Sequence, residues 1–273
     1  MEWFFNRAQG RSGSTTPLRT SPKNRRSGFS SDTDVSPLVA LTGLYTNALK
    51  GEDSTAQHTC VKGADHLTMM LVADGHGGAQ TALWLQDNLL PKIDELAHDG
   101  SQGALQKACV DAFAFAHAKV KTLEAKPSAI DFDATNTSTD TVEDGPPMNA
   151  SGATCTVCIF NHGRREITCA NVGDSEAFLV SESGLEALTT SHRLEVCESE
   201  QQRLRAQEIQ LAFAMDRTGQ PHGPLRAWPG GLAVTRGIGD GDCEPIVSCE
   251  PSIKTISAPD GGGCILACSD GVW

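Results

Sequence analysis

Several features that would assign this sequence to a broad class of protein are missing from it. No run approaches the roughly 18 apolar residues that a membrane helix requires, so we expect no transmembrane segment and no membrane partner. Net positive charge is also lacking: the formal charge is −12 at pH 7, which argues against general affinity for nucleic acid. Internal repeats are absent as well. With 39% hydrophobic and 21% charged residues, the composition is typical of a soluble globular protein.

A secretory signal and a second cysteine pair are also missing. The ten cysteines are scattered through apparent core strands, which favours a reduced intracellular protein over a disulfide-bonded one. Cys155 and Cys158 have the spacing of a zinc or redox pair, but they lie inside an apolar strand-like run and no other pair matches them. We therefore interpret them as buried thiols, with a metal site as the alternative.

The chain divides into a tail, one domain and an insertion. Residues 1–36 are predicted to be a disordered basic tail, because they are rich in Ser, Thr, Pro and Arg and lack sustained apolar periodicity. Residues 37–273 are predicted to form the domain, with an acidic surface insertion at about 125–150. We expect an intracellular monomer, cytoplasmic or nuclear. Organelle transit directed by the basic tail is the alternative.

Strand and helix patterns alternate along the ordered part. The predicted strands are Leu38–Tyr45, Leu67–Ala73, Ala153–Phe160, Glu166–Asn171, Ala177–Val180 and Cys264–Cys268, and the predicted helices are Ala79–Leu96, Gly103–Glu124 and Leu194–Gln207. The strands between residues 153 and 180 are joined by short turns, which implies antiparallel pairing. We therefore predict an α+β layered fold rather than a doubly wound parallel sheet.

One stretch, Leu71-Val72-Ala73-Asp74-Gly75-His76-Gly77-Gly78, places a carboxylate and an imidazole among glycines at the end of an apolar strand. Such a carboxylate suits a hard metal ion or a phosphate site, although Asp-Gly is also a common turn. Acids beside glycines recur at Glu52-Asp53, Asp174 and Asp270. Carboxylates from separate strand ends can converge at one rim of a sheet, so together these acids predict an oxygen-ligated divalent metal site.

The same residues carry a resemblance to a known family. The sequence resembles the metal-dependent protein serine/threonine phosphatases of type 2C, from about Leu41 to its end. The matching segments, in the family's order, are Gly51-Glu52-Asp53-Ser54, Val72-Ala73-Asp74-Gly75-His76-Gly77-Gly78, Ala170-Asn171-Val172-Gly173-Asp174-Ser175, Gly231-Leu232-Ala233-Val234-Thr235-Arg236-Gly237-Ile238-Gly239-Asp240 and Leu266-Ala267-Cys268-Ser269-Asp270-Gly271-Val272-Trp273.

This resemblance implies a four-layer α/β/β/α sandwich of two antiparallel sheets flanked by helices, with two Mg²⁺ or Mn²⁺ ions in a cleft. The implied metal residues are Asp74 as the bridging ligand, the carbonyl of Gly75, Glu52, Asp53, Asp270 and, for a further weaker ion, Asp174. The implied activity is hydrolysis of phosphoserine and phosphothreonine in phosphoprotein substrates by a hydroxide that bridges the two ions. His76 would be the general acid, unless it is merely hydrogen-bonded beside the metals.

Two departures from the family pattern bear on activity. Ala48 stands where the family usually has a phosphate-binding arginine, which leaves Lys50, our candidate substrate-binding residue, and Arg236 as nearby cations. The chain also stops at Trp273, whereas the family continues to a later Asp-Asn metal ligand, so we expect a domain that is incomplete at its C-terminus. Both departures favour an alternative function: a catalytically impaired pseudophosphatase that acts as a phosphoprotein-binding or regulatory module.

Overall fold

The computed structural model describes residues 2–6, 39–44, 51–123 and 151–272. The strands are β1 (Glu2–Asn6), β2 (Val39–Gly43), β3 (Ser54–Lys62), β4 (Asp65–Ala73), β5 (Gly75–His76), β6 (Gly152–Ala153), β7 (Cys155–Asn161), β8 (Glu166–Val172), β9 (Glu176–Ser181), β10 (Gly184–Ala187), β11 (Gln210–Met215), β12 (Pro221–Trp228), β13 (Ile238–Gly239), β14 (Ser252–Ser257) and β15 (Gly263–Cys268). The helices are α1 (Gln80–Leu96), α2 (Gln102–Val120) and α3 (Glu198–Ala206), and a 3₁₀ turn spans Asp270–Val272.

Two five-stranded antiparallel sheets form the centre of the fold. One has the strand order β14-β8-β7-β4-β3 and the other has the order β10-β9-β15-β1-β2. Helices α1 and α2 pack against each other and against the first sheet, while α3 packs against the separate β11-β12 hairpin. The predicted α+β class with antiparallel sheets is confirmed. A helical layer on the second sheet remains a prediction.

Strand β4 is buried on both faces, and its alternating side chains join two different cores. Leu67, Met69 and Leu71 pack with the apolar faces of α1 and α2. Met70 and Val72 point the other way, into a core shared with β9 and β15 of the second sheet. Full burial of such side chains stabilises a fold by about 1.5–3 kcal/mol each, so this strand is held firmly between both layers. The Asp-Gly-His turn that follows is therefore built on a rigid support.

The same alternation separates the two cysteines of β7. Cys155 lies in the helix-side core and Cys158 lies in the core between the sheets. Successive side chains three positions apart in a strand point to opposite faces, so the two thiols cannot share a metal ion. Instead, the Cys158 sulfur lies 3.1 Å from that of Cys169 on the neighbouring β8, and both are free thiols. The interpretation as buried thiols is confirmed for both residues.

Several element boundaries differ from the sequence-based expectations. Strand β1 falls within the predicted disordered tail, and its Trp3-Phe4-Phe5 sequence explains the difference because aromatic residues favour strands. Helix α3 begins at Glu198, four residues after the predicted start at Leu194. Other parts of the tail, Ala48, Lys50 and the insertion at about 125–150 lie outside the described residues. None of the helices in the described ranges is long and apolar enough to cross a membrane.

Candidate active site

The pairing of β3 with β4 brings the first two acidic segments together. Ser54 pairs with Ala73, so Glu52 and Asp53 precede β3 at the same end of the pair at which Asp74 follows β4. Gly75 is needed at this crossing, because a Cβ atom there would overlap the backbone carbonyl oxygen of Glu52. The sheet register therefore places three acidic residues from two segments at one rim, as the sequence pattern predicted.

The turn after His76 holds the side chain of Glu52 through the amide of Gly78. Both Gly77 and Gly78 have positive φ angles, a conformation that side chains disfavour. The amide of Gly78 donates a 2.9 Å hydrogen bond to Oε1 of Glu52, and its carbonyl accepts one from the Ser151 hydroxyl. This turn fixes one carboxylate oxygen of Glu52 and leaves the other oxygen as a potential ligand.

The acidic residues lie close enough to change each other's ionisation. Burial, followed by the carboxylates of Asp53, Asp270 and Asp174, raises the pKa of Asp74 from its usual 3.8 to about 7. Like charges held together in this way need a counter-charge to remain ionised at neutral pH. The structure thus brings together Asp53, Asp74, Asp174 and Asp270, from four separate segments of the chain.

A cation supplied by the protein already sits among two of these acids. Arg193 donates from Nη1 to Oδ2 of Asp174 at 2.8 Å, and the same nitrogen lies 3.8 Å from Oδ2 of Asp270. Asp174 is buried and lies just after the end of β8. Asp270 is the first residue of the final 3₁₀ turn. Arg193 lies in the connection formed by residues 188–230, which we call the flap. The sequence assigned it no role, because nothing in its local sequence distinguishes it from other flap residues.

His76 lies at the edge of the same cleft and is held by an aspartate. Its Nε2 lies 2.7 Å from Oδ1 of Asp240, and half of the His76 side chain is exposed. The hydrogen bond to Asp240 raises the pKa of His76, against an opposing effect of burial, and the charges of Asp240, Asp74 and Glu52 act in the same direction as the bond. A histidine that keeps its proton near neutral pH is suited to act as a general acid.

Arg236, one of the two cations considered for the missing arginine, is committed to another partner. Its guanidinium donates to Oε1 of Glu200 at 2.9 Å from Nε, and Glu200 also accepts from Arg203 and from the Thr235 hydroxyl. The Glu200 side chain is only 1% exposed. These contacts agree with a structural role for the Thr235-Arg236-Gly237 segment. Lys50 lies outside the described residues, so its role stays a prediction.

The cleft that these residues line has a volume of about 270 Å³. Its lining includes Asp74, His76, Asp174, Asp270, and the cations Arg193 and Arg226. The carboxylates offer oxygen donors only, and burial together with their mutual repulsion raises the Asp74 pKa, so the donor set fits hard divalent ions such as Mg²⁺ or Mn²⁺. The predicted roles of Glu52, Asp53, Asp74, Gly75, His76, Asp174 and Asp270 stay predictions, but the structure places all of them in or beside this cleft.

Solved structures support the fold. A sex determining protein from C. elegans superposes with a TM-score of 0.62 at 22% identity, covering 82% of this chain and 49% of that one. A serine-threonine phosphatase 2C from Toxoplasma gondii superposes with a TM-score of 0.54 at 17% identity, covering 80% of this chain and 78% of that one. At these identities the likeness concerns the fold alone.

Sequence comparison finds relatives at higher identity. "Probable protein phosphatase 2C 12" from Arabidopsis thaliana is 30% identical over 85% of this chain and 51% of its own length. "Probable protein phosphatase 2C 33" from Oryza sativa subsp. japonica is 28% identical over 97% of this chain and 57% of its own length. The chain thus spans about half the length of these curated relatives. The profile of the family described as "Protein phosphatase 2C" matches residues 43–273, and the chain belongs to that family.

Proposed function

We propose that this chain is a Mg²⁺- or Mn²⁺-dependent protein serine/threonine phosphatase that acts on phosphoproteins. One observation carries this proposal: carboxylates from four chain segments crowd together in a cleft that also holds a protonatable histidine. An all-oxygen donor set of this kind is typical of hard divalent ions. Family membership gives independent support, since the relatives are named as phosphatases.

Glu52, Asp53, Asp74, Gly75 and Asp270 would hold two ions, and Asp174 a further weaker one. When bound, such ions lower the pKa of water, which makes hydroxide available for attack on phosphorus near neutral pH. The protein would position these ligands through the β3–β4 register and the glycine turn at Gly77 and Gly78. No covalent intermediate on the enzyme is needed in this mechanism.

His76 would supply the proton that the leaving serine or threonine oxygen needs. Because Nε2 is bound to Asp240, we assign proton transfer to the other ring nitrogen, Nδ1. Asp240 keeps the ring oriented and raises its pKa, so the acid form persists near neutral pH. Arg193 and Arg226 add positive charge to the same cleft, which favours binding of a phosphate dianion.

The test is hydrolysis of a phosphoserine peptide by the purified chain with Mn²⁺, against the same protein treated with EDTA. Turnover that depends on the metal and is lost in Asp74→Asn supports the proposal, with Asp242→Asn, an exposed acid near the site, as the matched control. Calorimetric metal binding and tight peptide binding without turnover would instead point to the phosphoprotein-binding alternative. We extend the proposal to a monomeric state and a cytoplasmic or nuclear location, which light scattering and imaging of a tagged chain would test.

A further inference from the structure

A second group of metal-ligating side chains lies on β3, away from the cleft. His58, Cys60 and Lys62 are spaced two apart on this strand, and each is less exposed than the residues between them. Residues at this spacing share one face of a strand, and α1 packs against β3. These side chains are therefore directed towards α1, where Asp94 stands in the last turn of the helix.

The four side chains form one connected cluster. Nε2 of His58 lies 2.8 Å from Oδ2 of Asp94, and Nζ of Lys62 lies 2.6 Å from Oδ1 of the same carboxylate. The Cys60 thiol also hydrogen-bonds to Asp94. One ligand atom each from His58, Cys60 and Asp94 can be chosen so that all three lie within 4.8 Å of one another. The three donors thus converge on a single point between the strand and the helix.

We propose that His58, Cys60 and Asp94 form a binding site for a zinc-class transition-metal ion. An imidazole nitrogen, a thiolate sulfur and a carboxylate oxygen are the three ligand types that zinc accepts, at distances of about 2.0–2.3 Å. Tetrahedral ligands at those distances lie roughly 3.4 Å apart, so small side-chain shifts would convert the present cluster into a ligand shell. With three protein ligands, water would complete the fourth position.

The charges of the cluster also suit a dication. Binding would displace the thiol proton of Cys60 to solvent, so a thiolate and a carboxylate would offset the charge of the ion, and the Lys62 ammonium would leave the group with one net positive charge. Lys62 remains ion-paired with Oδ1 of Asp94. The other oxygen, Oδ2, which lies nearest His58, is then available to bind the metal.

This site is separate from the phosphatase cleft in both place and chemistry. Cys60 lies six residues along β3 from Ser54, the strand residue next to Glu52 and Asp53, which is a span of roughly 20 Å. The cleft offers carboxylate oxygens, which suit magnesium or manganese, whereas a thiolate and an imidazole favour softer ions. A zinc-class ion here would tie the edge strand β3 to the end of α1.

Titration of the metal-free full chain with Co²⁺ tests the site. We expect thiolate-to-cobalt charge-transfer absorption in the near ultraviolet, which the all-oxygen cleft cannot produce. Cys60→Ser should abolish this band, and Asp94→Asn and His58→Gln should each weaken Co²⁺ binding at the site by at least about tenfold. Two control variants should keep the band: Lys62→Gln, which retains all three donors, and Cys249→Ser, which removes a partly exposed thiol elsewhere.

Folding of each variant would be checked by circular dichroism, so that lost absorption is not mistaken for lost structure. If Cys60→Ser fails to fold, the Asp94→Asn and His58→Gln titrations still decide the question. The proposal is overturned if the folded wild-type chain gives no charge-transfer band, or if Cys60→Ser retains it. Failure of this test would leave the phosphatase proposal intact, because turnover depends on Asp74 rather than on these three residues.

Discussion

The Nε2 atom of His76 and the Oδ1 atom of Asp240 lie 2.7 Å apart although 164 residues separate them in the chain. Asp240 is well placed for this contact because its side chain is only 7% exposed and lies against Gly152. A Cβ atom at Gly152 would overlap the Asp240 carboxylate, so glycine is required there. The aspartate therefore orients the imidazole at the mouth of the cleft.

Replacing His76 should impair phosphoserine hydrolysis more than hydrolysis of an aryl phosphate. A serine alkoxide is a poor leaving group and needs a proton, whereas a nitrophenolate leaves readily without one. We expect His76→Gln to lower kcat on a phosphoserine peptide by about 10²–10⁴-fold, with a much smaller loss on p-nitrophenyl phosphate. Equal losses on both substrates would show that His76 acts through structure or metal binding instead.

Replacing Asp240 should shift the pH dependence of the reaction. The hydrogen bond to Asp240 raises the pKa of His76, so Asp240→Asn should lower that pKa, and the acid form should be lost at lower pH. The alkaline limb of the kcat–pH profile on the phosphoserine peptide should then move towards acid. Asp242→Asn, a nearby exposed control, should leave the limb in place. An unchanged limb in Asp240→Asn would rule out the positioning role.

Sequence reasoning identified the parts of the site that depend on local pattern. The apolar run of β4 and the turn at Asp74 are visible in the sequence, and the structure places them as expected. The partner of His76 was not predictable, because a contact across 164 residues leaves no local signal. Strand β3 was missed for a different reason: its sequence is mostly polar, and only Ala56 and Cys60 of this strand pack against the apolar core on the helix side.

The flap, residues 188–230, was predicted least well. The sequence analysis assigned no strand here, yet β11 and β12 pair as a hairpin, with a register shift after Phe213. Tertiary pairing there overrides weak local propensity. Arg236 is tied into this region through its ion pair with Glu200.

Neutralising Asp74 should stabilise the metal-free protein at alkaline pH. Because its pKa in the fold is about 7 rather than 3.8, the folded state binds more protons between these values, and stability falls as pH rises through them. Asp74→Asn removes that penalty, so its Tm in EDTA should exceed the wild-type Tm at pH 8 by on the order of 2–4 °C. The difference should shrink at pH 5.5.

Added Mn²⁺ should make the wild-type Tm higher than the Tm of Asp74→Asn at pH 8. The ion stabilises only a protein that binds it, so the wild-type Tm should rise with Mn²⁺ concentration while that of Asp74→Asn responds less. Differential scanning calorimetry with and without EDTA measures both effects. A wild-type Tm that is insensitive to Mn²⁺ would argue against a metal site at Asp74.

Removing the charge of Glu200 should destabilise the flap. Burial alone would raise the pKa of Glu200, but hydrogen bonds and charge from Arg203 and Arg236 lower it, so the carboxylate is ionised and paired. Glu200→Gln would leave both guanidinium groups without their counter-charge, at a cost of about 3 kcal/mol in the free energy of unfolding. Urea denaturation should show this loss. Glu198→Gln, an exposed acid in the same helix, should change stability by less than about 0.5 kcal/mol.

His192 should make the protein less stable in mild acid. Its ring is buried: Nδ1 lies 3.1 Å from the amide nitrogen of Gly173 and 3.0 Å from the carbonyl oxygen of the same residue, and Nε2 lies 2.8 Å from the Ser252 hydroxyl. Burial, with the charge of Arg236, lowers the pKa of His192 from 6.5 to about 4. Between these values the unfolded chain binds a proton that the folded protein excludes.

The stabilising contribution of neutral His192 is therefore complete above about pH 6.5 and declines as the pH falls towards 4, by up to about 3 kcal/mol. His192→Asn should be less stable than wild type at pH 7, because it loses the ring contacts. The difference in the free energy of unfolding between the two proteins should become steadily smaller as the pH falls to 4. Urea titrations at half-unit pH intervals measure this. His222→Asn, which changes an exposed histidine, should follow the wild-type curve. A constant gap between wild type and His192→Asn would mean that the ring takes up its proton without disturbing the fold.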